Sequence, residues 1–207
     1  MLTSAGEPLV IGGHLISLRS IRGDDEQRLT DFHATLSKAS TYRRFLSYHP
    51  TLSPDELHRF THVDGEDRVA LVVLADDAIV GVGRYDRDPN RRDTADVAFV
   101  VTDEWQGEHL GTLLITCLVN AALTHGIEWF TADTLTTNAP MMHVFRTTGF
   151  PLSVTHDHGV SHVEFPISTL AQLRGWKDDT RAPRDHHTGL NDAAKRARRV
   201  GTNRSVV

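Results

Sequence analysis

Cysteine is almost missing from this chain, with Cys117 the single thiol in 207 residues. One thiol closes no intramolecular bridge, so a disulfide-stapled scaffold is excluded, and its place inside an apolar helical pattern reads as core rather than as a nucleophile. Lysine is nearly as scarce, 3 residues against 19 arginines, a bias that fits a GC-rich bacterial genome. Long apolar runs are also lacking, and the opening Met-Leu-Thr-Ser-Ala-Gly-Glu-Pro has neither the basic nor the apolar region of a secretion signal. A soluble, cytoplasmic protein is expected, with no membrane partner. No internal repeat is visible.

What charge there is falls unevenly. Residues 1–167 hold 13 Lys/Arg against 23 Asp/Glu, a net −10, whereas residues 168–207 hold 9 against 4, a net +5. An acidic body argues against nucleic acid as the main partner and suits a cationic one, such as an amine or a basic protein surface. Three regions are expected: an N-terminal extension over 1–13, one α/β domain over 14–167, and a basic tail over 168–207 that is too poor in large apolar residues to pack a core, beyond a short helix near 168–176.

Within the domain, His14 to Ile21 alternates as a strand, and Asp24-Asp25-Glu26-Gln27 opens a helix carrying Leu29, Phe32, His33 and Leu36. Ser53-Pro54-Asp55-Glu56 is a second helix start. Between them, Ser40 to Pro50 reads as an irregular connection carrying Tyr42, Phe45 and Tyr48. Val69–Leu74 and Ile79–Tyr85 form a hairpin, and the strand Asp96–Val101 completes a meander. Apolar residues at 110, 113, 114, 117, 118 and 121 give a long helix stopped at Gly126. Phe130–Leu135 follows as a strand parallel to Asp96–Val101, because a helix joins them. Asn138 caps a short helix through Thr148, and Leu152–Ile167 is a last hairpin turned at Asp157-His158-Gly159.

The stretch that organises the rest is Asp96 to Thr112: strand, glycine-bearing loop, helix. Backbone N–H groups at such a loop and first helical turn lack intrahelical partners, and the helix dipole favours an anion there, so a phosphorylated ligand is expected.

Gln106-Gly107-Glu108-His109-Leu110-Gly111-Thr112 resembles the acyl-CoA loop of the GCN5-related N-acetyltransferases, the GNAT superfamily, whose pattern is Gln/Arg-x-x-Gly-x-Gly/Ala. Asp96 on the preceding strand, the segment Asn138 to Phe145, the closing Gly149-Phe150 and the order of elements extend the resemblance over most of residues 14–167. Leu36 to Phe45 is similar to the acetyltransferase domain of bacterial protein-lysine acetyltransferases.

The resemblance implies a GNAT fold, with a mixed, largely antiparallel sheet flanked by helices. It implies acetyl-CoA as co-substrate, no metal, and transfer of an acetyl group to a primary amine, foremost a protein lysine such as one on an acyl-CoA synthetase. A small-molecule amine is the alternative, and a catalytically weak acyl-CoA-binding regulatory module is a third reading. Oligomeric state is left open.

Asp96 is then the general base, since an amine arrives as ammonium and must lose a proton before it attacks. Phe99, Val100 and Val101 would offer backbone groups to the pantetheine arm, Gln106 through Thr112 would cradle the pyrophosphate, and Asn138 would bond the same arm. Phe145 stands where many members carry a Tyr that protonates the leaving thiolate, and phenylalanine donates no proton. Glu108 puts a carboxylate beside the diphosphate, and His109 replaces the motif's first glycine. Asp103 and Glu104 read as exposed turn charges. Neither His156, His158 and His162 nor His186-His187 has a recognised metal spacing.

Overall fold

The computed structural model describes residues 9–168. Among them, eight strands form one sheet in the order β1-β2-β3-β4-β5-β6-β8-β7. The chain runs β1 (Leu9–Ile11), β2 (His14–Ser20), α1 (Glu26–Thr35), α2 (Lys38–Phe45), α3 (Pro54–Thr61), β3 (Arg68–Ala75), β4 (Ala78–Arg87), β5 (Thr94–Val101), α4 (Leu110–Thr124), β6 (Trp129–Leu135), α5 (Ala139–Thr147), β7 (Ser153–Asp157) and β8 (Val160–Pro166). Neighbouring strands pair antiparallel except β5 and β6, which are parallel because α4 carries the chain back to the same end of the sheet.

Each face of the sheet has its own core. Val69, Leu71, Val73, Tyr85, Val97, Phe99 and Val101 alternate onto one face, where α4 and α5 cover them. Ala70, Val72, Leu74 and Ile79 point the other way, under Leu29 and Phe32 of α1 and Leu57 and Phe60 of α3. Burial on both sides explains the near-continuous apolar run of β3. No helix among the described residues is long and apolar enough to cross a membrane.

Three details depart from the sequence pattern. Leu9–Ile11, ahead of the alternation that starts at His14, adds an edge strand turned through Gly12-Gly13. Asp24 and Asp25 lie in a 3-10 turn rather than in the helix proper, and Asp25 is wholly buried because its carboxylate takes both guanidinium nitrogens of Arg19, at 2.6 and 2.7 Å, and the Arg22 N–H.

The third is a correction. Ser40 to Phe45, the first half of the connection expected to be irregular over Ser40 to Pro50, belongs to helix α2 (Lys38–Phe45), capped where the Ser37 hydroxyl accepts from the Ser40 N–H at 3.1 Å and closed by Leu46 in the left-handed region. Its buried residues are Ser40 and Thr41, so no apolar stripe marks it. The expected helix near 168–176 and the basic tail lie, apart from Ser168, outside the described residues.

Candidate active site

The parallel pairing of β5 with β6 covers only Thr94↔Trp129, Ala95↔Phe130 and Asp96↔Thr131. Beyond that rung β5 stays with β4 as far as Val101, while β6 follows β8 as far as Leu135, and the two strands part. Backbone polar groups along one edge of Val97–Val101 therefore meet a gap instead of a neighbouring strand. The gap opens a cleft of about 330 Å³ lined by Val97 to Val101, Ala132 to Thr134, the loop before α4, and residues of α2 and α5. That volume is in the range of small-molecule sites.

At one end of the cleft stands the start of α4. Gly107 (φ 91°) and His109 (φ 60°) hold the loop in the left-handed region, and the first intrahelical bond runs from Leu113 N–H to the His109 carbonyl at 3.0 Å. The N–H groups of Leu110, Gly111 and Thr112 precede that bond and have no acceptor within the helix. Gly111 lets α4 lie close to α5, since a Cβ there would sit 3.3 Å from Val144 and 3.5 Å from Phe99.

The loop is held from behind. Gln106 donates through Nε2 to the Val101 carbonyl and to the Ser40 hydroxyl, both at 3.2 Å. Asp103 is exposed in a turn, as expected, but it also accepts from the Ser37 N–H and from the Ser37 and Ser40 hydroxyls at 2.8–2.9 Å, which ties α2 to the loop. Desolvation pushes its carboxyl up, but those hydrogen bonds outweigh it and leave the group below the usual carboxylate range.

Among the residues singled out above, Phe99, Val100, Val101, Gln106, Gly107, His109, Leu110, Gly111, Thr112, Asn138 and Phe145 all line the cleft. Glu108 is exposed and outside the lining. Asn138 is buried and committed locally: its Oδ1 caps α5 at the Met141 N–H, and its Nδ2 donates to the Thr134 hydroxyl at 3.0 Å. Phe145 is core on its far side, packed edge-on to Phe99 and tilted on Phe165.

Asp96 sits on the last paired rung, where the strands begin to part, and is not itself in the cleft lining. Its carboxyl is pushed up to about 7, by crowding from surrounding protein and then by the Asp133 and Asp86 charges, against the pull of Arg44 and Arg84. Solvent still reaches the side chain, so the crowding comes from protein around an open mouth and not from a sealed pocket. Alternation along β6 sets Asp133 on the same face as Thr131 and hence as Asp96, and Asp133 lines the cleft while pairing with His162 of β8. Arg43 and Arg44 of α2 complete the wall. Burial pulls the Arg44 guanidinium down, against Asp96 and Asp86. Sequence periodicity could not find Arg44 or Asp133, since neither reaches the cleft until α2 folds and the strands part.

A strand that parts from its neighbour, ending in a glycine loop at a helix N-terminus, is the arrangement on which comparison with known proteins converges: the profile of the Acetyltransferase (GNAT) family matches residues 34–150. The chain belongs to this family. It is 29% identical over 164 residues to the acetyltransferase Pat of Mycolicibacterium smegmatis, a match covering 76% of this chain and 48% of that protein, so the chain spans about half the length of that relative. It is 26% identical over 148 residues to the acetyltransferase PA5475 of Pseudomonas aeruginosa, covering 70% and 78%.

In three dimensions it matches the crystal structure of the GNAT domain of S. lividans PAT, with a TM-score of 0.70 and 34% identity over 74% of this chain and 92% of that one. The structure of yncA from Salmonella typhimurium, solved with its cofactor acetyl-CoA, shares the fold at 17% identity and a TM-score of 0.60, over 74% of this chain and 95% of that one. The eight-stranded, mostly antiparallel sheet flanked by helices is thus the GNAT fold.

Proposed function

We propose that this GNAT domain binds acetyl-CoA along the gap between β5 and β6 and transfers its acetyl group to a primary amine, specifically a protein lysine. The observation that carries this reading is the end-to-end order of the cleft: free helix N–H groups at one end, unpaired strand backbone in the middle, and an acid held up at about 7 where the strands begin to part.

The chain's own groups fit the ligand. The positive end of α4 suits a pyrophosphate, and Gly107 leaves open space above the loop, since a Cβ there would meet nothing within 4 Å. Exposed strand N–H and C=O groups suit the amides of the pantetheine arm, and Asn138, committed to its cap and to Thr134, contributes through cleft shape more than through a free amide oxygen. A thioester supplies an activated acyl group with a leaving group good enough to depart without a dedicated acid, so Phe145 is compatible with turnover.

Asp96 takes the proton from the incoming ammonium through a water at the mouth, the relay being needed because its carboxyl lies outside the cleft lining. The nitrogen lone pair then attacks the thioester carbonyl, forming the amide bond as the carbon–sulfur bond breaks; coenzyme A leaves as the thiolate, and the nitrogen sheds its second proton to solvent or to that thiolate. Asp133, together with Asp96 once it has ionised, favours the approach of a cation, Asp86 being held by Arg68 and Arg84. The protein acceptor rests on the resemblance of Leu36 to Phe45 to bacterial protein-lysine acetyltransferases, and a small amine is the alternative. Glu108, His109 and Phe145 together favour a second reading, a regulatory module that binds acyl-CoA and turns over poorly.

Incubation of the protein with isotopically labelled acetyl-CoA, lysate proteins and a panel of small amines, followed by mass spectrometry, separates these. Label on the lysines of discrete proteins is the expected result. Label confined to small amines reassigns the acceptor, and tight binding with no transfer to either leaves the regulatory module.

A further inference from the structure

On the opposite side of the molecule from α4, the sequence His58-x-x-x-His62 puts two imidazoles one turn apart on α3, where residues four apart share a face. Their rings stack with centroids 3.8 Å apart and planes 28° apart. A carboxylate from another helix faces both: Glu26 Oε1, from the first turn of α1, lies 3.7 Å from His58 Nδ1 and 3.9 Å from His62 Nδ1. One ligand atom from each of the three residues falls within 4.8 Å of the others.

We infer that Glu26, His58 and His62 form a reversible site for a divalent transition metal, zinc foremost, bridging α1 and α3. With metal–nitrogen distances of about 2.0–2.1 Å and metal–oxygen distances of about 2.0–2.2 Å, the corners of a tetrahedron lie roughly 3.4 Å apart. The two carboxylate–imidazole separations exceed that by a few tenths of an ångström, and all three ligand atoms already lie within 4.8 Å, so side-chain rotations bring them onto one ion. Two imidazoles and one carboxylate are a donor set suited to zinc, and hard oxygen-seeking cations such as calcium and magnesium are poorly served by it.

Two further contacts shape the site. Gly23, in the turn before α1, makes room for the His62 ring, because a Cβ there would lie 2.8 Å from His62 Nε2. With Nε2 against that turn, Nδ1 is the nitrogen aimed at Glu26, and it also contacts the Thr61 hydroxyl at 3.0 Å and the His58 carbonyl at 3.1 Å. A metal at Nδ1 displaces those local bonds and leaves the proton on Nε2.

None of the three residues lines the acetyl-CoA cleft, so the metal fastens α1 to α3 and takes no part in acyl transfer. Three protein ligands leave a fourth position for water. Occupancy therefore follows the available zinc, unlike a closed four-ligand structural site.

The test is calorimetric titration of the full-length protein with Zn²⁺, alongside thermal melts with and without the ion. One zinc per chain with a raised melting temperature is expected for the parent. His58→Ala/His62→Ala should lose at least about 100-fold in affinity and the zinc-dependent rise, while melting like the parent without zinc, since both side chains are exposed. Gly23→Ala, which removes no ligand, should weaken binding by crowding His62. His186→Ala/His187→Ala, in the tail, should change nothing. The inference is overturned if the parent binds no zinc, if the His58/His62 variant binds as tightly as the parent, or if the tail variant abolishes the site.

Discussion

Asp96 is one residue in a sheet-wide row of charge, and its neighbours set its chemistry. It lies directly opposite Asp86 across the β4–β5 ladder, a like-charge pairing that a sheet does not favour without counter-ions. Arg68 and Arg84 supply these by pairing with Asp86 at 3.0 and 3.5 Å, Arg84 while buried and stacked over Phe60. Asp133 has no part in that neutralisation, and its charge raises Asp96.

A base works only when deprotonated, so the transfer rate should climb with pH through about 7. Asp133→Asn removes a negative neighbour, which lowers the Asp96 pKa and moves the rising limb of the pH–rate profile to lower pH. The midpoint is the quantity to read, because Asp133 also lines the cleft and its loss can alter acceptor binding. An unchanged midpoint would show that Asp133 is electrostatically silent.

At the scale of elements, the site depends on how closely α4 approaches the sheet. Gly81 and Gly83 of β4 face this helix, where a Cβ on Gly83 would stand 3.0 Å from Leu118 Cδ1 and 3.2 Å from Leu114 Cδ2. Leu114 and Leu118 are wholly buried, so neither has free volume to retreat into. Gly83→Val should therefore cost about 1–3 kcal/mol through overpacking and lower the melting temperature. It should also weaken acetyl-CoA binding if the N–H groups at the start of α4 hold the pyrophosphate as proposed. A variant as stable as the parent would mean that α4 shifts freely on the sheet. The second support is α2, which Asp103 and Gln106 fasten to the loop from the other side.

For the molecule as a whole, the alternating strands, the long apolar α4 and the glycine-bearing loop were legible because each has a local signature: period two, period 3.6, or left-handed backbone at Gly107. The order of elements and the resemblance to GNAT proteins came from the same stretches. Helix α2 was illegible because its inward residues are Ser40 and Thr41, and β1 because three residues carry no period. Arg44 and Asp133 reach the cleft only through the divergence of β5 from β6, a tertiary event without a local signal. Asp103 read as a turn charge because its partners, Ser37 and Ser40, lie more than sixty positions earlier in the chain.

The proposed base, Asp96, stands outside the lining of the cleft proposed to hold the acetyl donor, and one comparison separates the two roles. A carboxyl held above its unfolded value near 4 costs stability as pH rises from there through 7, so Asp96→Asn should melt no lower than the parent at pH 8. With folding so controlled, steady-state transfer to a lysine-containing peptide pool at pH 8, measured together with the acetyl-CoA dissociation constant, is decisive. A loss of at least about 100-fold in kcat with the dissociation constant unchanged is expected if Asp96 is the base. A variant that keeps the parent's kcat at that pH would contradict that role.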